Sequence, residues 1–109
     1  MLEALFGSKA AENVLLYMQN YGEGYGLDIA RTFDLYPTSV NNQLKKLEET
    51  GLLVNKSAGR TIIYSWNPRN PLVRPLRLFL QEYLEALPDG ELEAFYRQRR
   101  RPRKADKPL

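Results

Sequence analysis

The sequence predicts a mainly α (α+β) fold, a winged helix-turn-helix with a two-stranded β-hairpin wing and additional C-terminal helices. Three observations predict it. Residues 26–33 and 38–50 each repeat apolar side chains at three- and four-residue spacing, which is typical of helices that bury one face. Between them lies a turn that ends at Pro37, a residue suited to the first position of a new helix. Residues 52–56 and 61–66 are β-rich runs separated by turn-forming residues.

The second helix of this motif has a polar outward face. Burial of Val40, Leu44 and Leu47 leaves the following side chains outside: Ser39, Asn41, Asn42, Gln43, Lys45 and Lys46. Asn and Gln amides donate and accept at once, which matches the N6 and N7 groups of adenine in the major groove. Thr38 and Ser39, at the positive end of the helix dipole, suit a phosphate contact. The alternative is that these residues only keep a surface helix soluble.

The predicted wing carries positive charge. Residues 57–60 supply turn chemistry, and the hairpin presents Lys56 and Arg60. We therefore expect helix 38–50 to enter the major groove of duplex DNA and the wing, residues 53–66, to lie on the adjacent backbone or minor groove. The predicted DNA-binding residues are Thr38, Ser39, Asn41, Asn42, Gln43, Lys45, Lys46, Lys56 and Arg60.

Three stretches, LFGSK, YGLDIARTFDLYPTSVNNQLKKLEETGLL and GRTIIYSWNP, resemble the arsenic-repressor-like (ArsR-type) winged helix transcriptional regulators of bacteria and archaea. The resemblance implies a transcriptional regulator that represses by occluding a promoter. Two departures stand out. Tyr36 occupies the position where many relatives have a serine that caps the recognition helix. The chain has no cysteine and no histidine, so the ligands of the metal-sensing members are absent, and we expect no metal and no cofactor.

The segments that flank the winged domain predict a homodimer. After the wing, residues 72–87 place a wide apolar arc along one helix, with Asn70 or Arg74 near its start and Pro75 forcing a restart or a kink. The apolar residues at the N-terminus have few neighbours in the same domain that could cover them. The predicted interface comprises Leu2, Leu5, Phe6, Leu72, Leu76, Phe79, Leu80, Tyr83 and Leu87. A two-fold dimer sets two recognition helices about 34 Å apart, which fits a palindromic site. The alternative is one-sided packing on the winged domain.

Charge divides the chain into a basic C-terminal end and an acidic body. Seven of the 16 basic residues, but only one of the 13 acidic residues, lie in residues 97–109, so this end carries +6 and the body −3. We expect a DNA-binding domain over residues 1–68, with residues 2–7 in dimer contact, dimerisation helices over 69–98 and a disordered basic tail over 99–109. Asp89 is the expected cap of a short helix that docks through Leu92, Phe95 and Tyr96. The tail either holds phosphates or only adds solubility.

Composition excludes other classes of function. Without histidine, cysteine or a glycine-rich phosphate loop, the usual catalytic combinations are missing, so we expect no enzyme. No run of about 18 apolar residues predicts a membrane span, and the N-terminus is too short and too polar for a signal peptide. The absence of cysteine fits the cytoplasm. The expected partners are double-stranded DNA and a second copy, with any small-molecule effector unknown. The alternatives are a winged helix protein–protein interaction module and a sequence-tolerant, chromatin-like DNA-binding protein.

Overall fold

The computed structural model describes residues 2–97, so the predicted basic tail and Gln98 lie outside the described residues. The chain forms a mostly helical domain with one small antiparallel sheet, which confirms the winged helix fold. The elements are α1 (Leu2–Phe6), α2 (Lys9–Tyr21), β1 (Glu23–Gly24), α3 (Gly26–Phe33), α4 (Pro37–Glu49), β2 (Leu53–Ala58), β3 (Thr61–Trp66), α5 (Val73–Glu85) and α6 (Asp89–Glu91), which runs into a π-helical turn (Leu92–Tyr96).

The sheet has three strands in the order β1-β3-β2, one more than predicted. Glu23 and Gly24 pair with β3 on the side opposite β2. Two residues are too few to leave an alternating pattern in a sequence, so this strand escaped prediction. Strand β2 also extends to Ala58, which shortens the predicted four-residue turn to Gly59 and Arg60. Gly59 has a φ of 68°, as tight hairpin turns require.

Helix α2 lies at the centre of the hydrophobic core, and its residues 11–18 are all buried. Val40 and Leu44 of α4 are fully buried, and Leu47 packs against the same core, as the helical spacing predicted. Trp66, at the end of β3, donates its Nε1 hydrogen to the Met18 carbonyl at 3.1 Å. Helix α4 and the base of the wing are therefore both held against α2.

The helix ends follow their predicted chemistry in part. Ser8 caps α2, and its Oγ accepts a hydrogen bond from the Ala11 N–H at 3.1 Å. Tyr36 precedes α4 and supplies no side-chain cap. Its carbonyl instead accepts from the backbone N–H groups of Ser39 and Val40, at 3.0 and 3.2 Å. The start of α4 is thus held by the backbone.

The C-terminal helices differ from the expectations at two points. Helix α5 is continuous from Val73 to Glu85, without a restart at Pro75. Pro75 falls in the first turn, where a backbone N–H has no intrahelical partner to lose. The residue at the start of the short last helix is Pro88, and Asp89 is already helical. Asn70 lies before the start of α5 and not within it. Its Oδ1 accepts a hydrogen bond from the Leu72 N–H at 2.9 Å.

The C-terminal segment docks through Leu92, Phe95 and Tyr96, as predicted. Its backbone is also fixed, because the Asn20 amide donates to the Tyr96 carbonyl at 2.7 Å and the Tyr21 hydroxyl donates to the Phe95 carbonyl at 2.6 Å. Burial, with a further contribution from Glu12, raises the pKa of the Tyr96 hydroxyl, so it stays neutral at physiological pH. The chain is therefore anchored on α2 up to Tyr96.

Only some of the apolar residues predicted to form the dimer interface are exposed. Leu2 and Leu80 are 0% exposed in a single copy of the chain, which corrects the expectation that the domain leaves them uncovered. Phe6, Leu76, Tyr83 and Leu87 are partly buried against the same core. The apolar side chains that remain outside include Leu5, Leu72 and Phe79, together with Leu78, which the prediction omitted. The cause is the orientation of α5, because its Leu80 side faces α2 and its Leu78 side faces outward.

Replacement of Gly24 by alanine is expected to lower the free energy of unfolding by about 2 kcal/mol, within the range for overpacked cores. A Cβ atom at this position would lie 2.7 Å from Cε1 of Tyr17, a ring that is 1% exposed and has no room to shift. Chemical denaturation measures the effect. Gly90→Ala is the control, because a Cβ there meets nothing within 4 Å. Equal free energies of unfolding for the two variants would show that the Tyr17 ring shifts without cost.

Candidate nucleic-acid interface

An open groove of about 430 Å³ separates the recognition helix α4 from the wing. Its walls come from the start of α3, from α4 and from β3. The lining residues are Tyr25, Gly26, Leu27, Asn41, Lys45, Arg60, Thr61, Ile62 and Tyr64. Three of the nine predicted DNA-binding residues, Asn41, Lys45 and Arg60, line this groove.

The predicted reading face of α4 is solvent-accessible to different degrees. Thr38, Asn41, Asn42, Lys45 and Lys46 are exposed. The other two predicted α4 side chains, Ser39 and Gln43, are half-buried. Of this set, Asn41 and Lys45 line the groove. They are four residues apart, so they stack on the same side of the helix.

Gly26 determines where the Asn41 side chain lies. A Cβ atom built on Gly26 would overlap the Asn41 carboxamide, so the missing side chain allows Asn41 to rest against the first residue of α3. Nothing in the sequence singles out Gly26, because its contact with Asn41 depends on the packing of α3 on α4. Glycine at position 26 therefore positions one of the candidate base-reading amides.

The wing brings Arg60 but not Lys56 to the groove. Arg60 lies in the hairpin turn and lines the groove with Ile62. Lys56 is paired with Ile63 across the hairpin, and successive residues of a strand point to opposite faces. Lys56 is therefore on the other side of the wing from the groove, although it is exposed there.

The electrostatic character of the groove is positive. Lys45 and Arg60 line it, no acidic residue does, and neither side chain forms an ion pair within residues 2–97. The Glu48 carboxylate accepts a hydrogen bond from Asn55 of β2, which ties α4 to the wing. Burial and the charge of Glu48 raise the pKa of the Tyr64 hydroxyl. Tyr64 is therefore a neutral group on the groove wall at physiological pH.

Apolar side chains flank these charges. Leu27, on α3, and Ile62, on the wing, are about half exposed on either side of the groove. Apolar groups at such positions suit contact with sugars or with thymine methyl groups. The groove therefore combines the Asn41 amide, two cations and apolar edges.

No family model and no curated protein matches this chain. Solved structures do. A variant of ZitR from Lactococcus lactis shares 20% identity and a TM-score of 0.53 over 79% of this chain and 66% of that one. A MarR-family transcriptional regulator from Rhodococcus sp. RHA1 shares 22% identity and a TM-score of 0.57 over 84% of this chain and 71% of that one. The antimony-specific transcriptional repressor AntR shares 26% identity and a TM-score of 0.54 over 78% of this chain and 77% of that one.

These similarities establish a fold shared with winged helix transcriptional regulators. The chain spans about two thirds of the length of the ZitR structure. Within residues 2–97 no helix is both long enough and apolar enough to cross a membrane. The same residues contain no group of three acidic side chains placed to hold a metal ion.

Proposed function

We propose that this protein is a sequence-specific, double-stranded DNA-binding transcriptional regulator of the arsenic-repressor-like type that acts as a homodimeric repressor. The observation that carries the proposal is the groove in which Asn41 and Lys45 of the recognition helix face Arg60 of the wing. Such regulators place the recognition helix in the major groove and the wing on the adjacent backbone or minor groove. A repressor of this kind acts on cytoplasmic DNA by covering a promoter.

In the proposed complex, the amides read bases and the cations hold phosphates. Asn41, Asn42 and Gln43 present donors and acceptors to the base edges. Phosphates are contacted by the remaining predicted residues, namely Thr38, Ser39, Lys45, Lys46, Lys56 and Arg60. Because the body of the chain is net negative, these local charges and the basic C-terminal residues supply the sequence-independent part of the affinity.

The proposed dimer pairs α5 with the α5 of a second copy. Leu72 and Leu78 are 66% and 62% exposed, and Phe79 adds a third apolar side chain to the outward side of the helix. A small domain rarely leaves several large apolar residues outside on one helix without a partner. In this arrangement residues 1–68 bind DNA, residues 69–98 dimerise and a two-fold axis makes the operator palindromic.

Replacement of Arg60 by glutamine is expected to weaken binding to all duplexes alike and to reduce the slope of log affinity against log salt by about 1, because one phosphate contact is lost. Fluorescence anisotropy of labelled duplexes over a salt series measures both quantities. The matched control is Arg69→Gln, since Arg69 is exposed but lies outside the groove.

An unchanged salt slope in the Arg60→Gln variant would contradict the placement of the wing. If, in addition, a chain ending at Gln98 lost all affinity for duplex DNA, the basic tail alone would account for binding. That result would favour the sequence-tolerant, chromatin-like alternative.

A further inference from the structure

One end of the Asn41 carboxamide lies against the first turn of α3. Gly26 is buried while Asn41 is exposed, and the Asn41 carboxamide is the group that a Cβ atom on Gly26 would meet. Of its atoms, Oδ1 is nearest to that Cβ position, Cγ lies 3.0 Å from it and Nδ2 lies 3.5 Å from it. The carbonyl end of the amide therefore contacts Gly26, and the NH₂ end lies farther out.

The start of α3 favours an oxygen atom at this place. Tyr25, which precedes α3, supplies no side-chain cap. The Ile29 N–H donates to the Tyr25 carbonyl at 3.1 Å, whereas the N–H groups of residues 26–28 have no carbonyl of the helix to bond. These groups carry the positive end of the α3 dipole, which attracts the amide oxygen and repels the amide NH₂ group. The orientation of the Asn41 amide thus follows from its contact with a helix N-terminus.

An amide held in this way presents a donor to DNA. Asn41 lines the groove between the recognition helix and the wing, and its NH₂ group is the end left for a base. Bidentate recognition of adenine needs both ends of the amide, because the oxygen accepts from N6 and the nitrogen donates to N7. Guanine presents two acceptors, N7 and O6, in the major groove. A donor at Asn41 therefore favours guanine over adenine.

Glycine at position 26 permits this arrangement. A Cβ atom would occupy the place of Asn41 Oδ1, so any other residue at position 26 displaces the carboxamide. The φ of Gly26 is not positive, so the backbone at the start of α3 accepts alanine. Asn41 is exposed, and its carboxamide can turn into solvent without disturbing the core. Gly26 has no side chain with which to contact a base, so it acts through Asn41.

We infer that Gly26 is a positioning residue for base recognition. It holds the Asn41 amide with the NH₂ group outward, so that Asn41 selects guanine at one position of each half-site. The base preference rests on the proposed function, whereas the held amide is a property of the free protein. Replacement of Gly26 changes the preference at this one position and leaves the phosphate contacts, which carry no sequence information, in place.

Nitrogen-15 relaxation of the Asn41 side-chain amide, in the full chain without DNA, tests whether the amide is held. We expect an order parameter near that of rigid backbone, about 0.85, in the wild type and below about 0.6 in Gly26→Ala. Gly90→Ala, where a Cβ atom meets nothing within 4 Å, should match the wild type. A mobile Asn41 amide in the wild type, or an equally ordered one in Gly26→Ala, would overturn the inference.

Selection of bound duplexes from a random DNA pool tests the base preference. The base pair whose preference Asn41→Ala loses is the one that Asn41 contacts. We expect a G·C pair there in the wild type, favoured by about tenfold over A·T. Gly26→Ala should lose the preference at the same position only, and the double variant should lose no more than either single variant. Asn41→Asp, which replaces the donor by an acceptor of the same shape, should exchange guanine for cytosine at this position.

Three results of the selection would overturn the inference. They are an A·T pair at this position in the wild type, an unchanged preference in Gly26→Ala and guanine retained in Asn41→Asp. Loss of preference at every position in Gly26→Ala would also overturn it, because the substitution would then disturb α4 as a whole. Failure of the wild type to enrich any sequence would overturn the proposed function and leave the relaxation result standing.

Discussion

Glutamate at both Leu78 and Phe79 is expected to convert the protein to a monomer and to lower its affinity for operator DNA by about 100-fold or more. Leu78 and Phe79 are 62% and 39% exposed on the outward side of α5 and lie outside the fully buried core, so the change removes the proposed contact surface. A two-fold dimer gains affinity because the second half-site binds at a high effective concentration, and a monomer loses that gain. Analytical ultracentrifugation gives the mass, and anisotropy gives the affinity.

A control for this experiment is Val54→Glu, which introduces a charge at another exposed apolar position, near the base of the wing. This variant should remain dimeric, and all variants should retain the circular dichroism of the wild type. A dimer that persists in the Leu78→Glu, Phe79→Glu variant would show that α5 does not form the interface. A wild-type protein that is monomeric at the concentrations at which it binds DNA would also contradict the proposed interface.

The combined variant Asn41→Ala, Asn42→Ala, Gln43→Ala is expected to lose most of its preference for the operator over a scrambled duplex. Each well-placed amide discriminates between bases by about 1–3 kcal/mol, so removing three of them lowers the ratio of specific to non-specific affinity by at least about 100-fold. Non-specific affinity should change little, because Lys45 and Arg60 remain. Competition binding at fixed salt measures the ratio.

Thermal unfolding shows whether the triple variant is folded. Alanine is a better helix former than asparagine, so thermal stability should be equal to or greater than that of the wild type. Glu49→Ala, at an exposed position of the same helix, should keep the operator preference. An undiminished preference in a folded triple variant would show that these amides do not read bases.

The recognition helix could be predicted from sequence because its signals are local. Val40, Leu44 and Leu47 recur with helical spacing, Pro37 marks the start and Gly51, with a φ of 87°, follows the end. Local spacing identifies the buried face, and the reading face follows as its complement. The placement of Asn41 and Lys45 in the groove agrees with that deduction.

The features that escaped prediction depend on tertiary packing. The apolar arc of α5 is wide, so spacing alone did not reveal that Leu80 faces α2 while Leu78 faces outward. The contact between Gly26 and Asn41 depends on how closely α3 and α4 approach. The cavity lined by Arg74 and Arg77 joins Gln19 of α2 to residues more than 45 positions later in the chain. None of these features leaves a periodic signal in the sequence.

We propose that this winged helix protein reads DNA sequence as a dimer. The measurement that tests it most directly is selection of bound duplexes from a random DNA pool by the wild-type protein at near-physiological salt. We expect enrichment of a palindrome whose half-sites are separated by about one helical turn, 10–10.5 base pairs between their centres. Recovery of a pool with no enriched sequence would contradict the claim and would favour a winged helix that binds a protein partner.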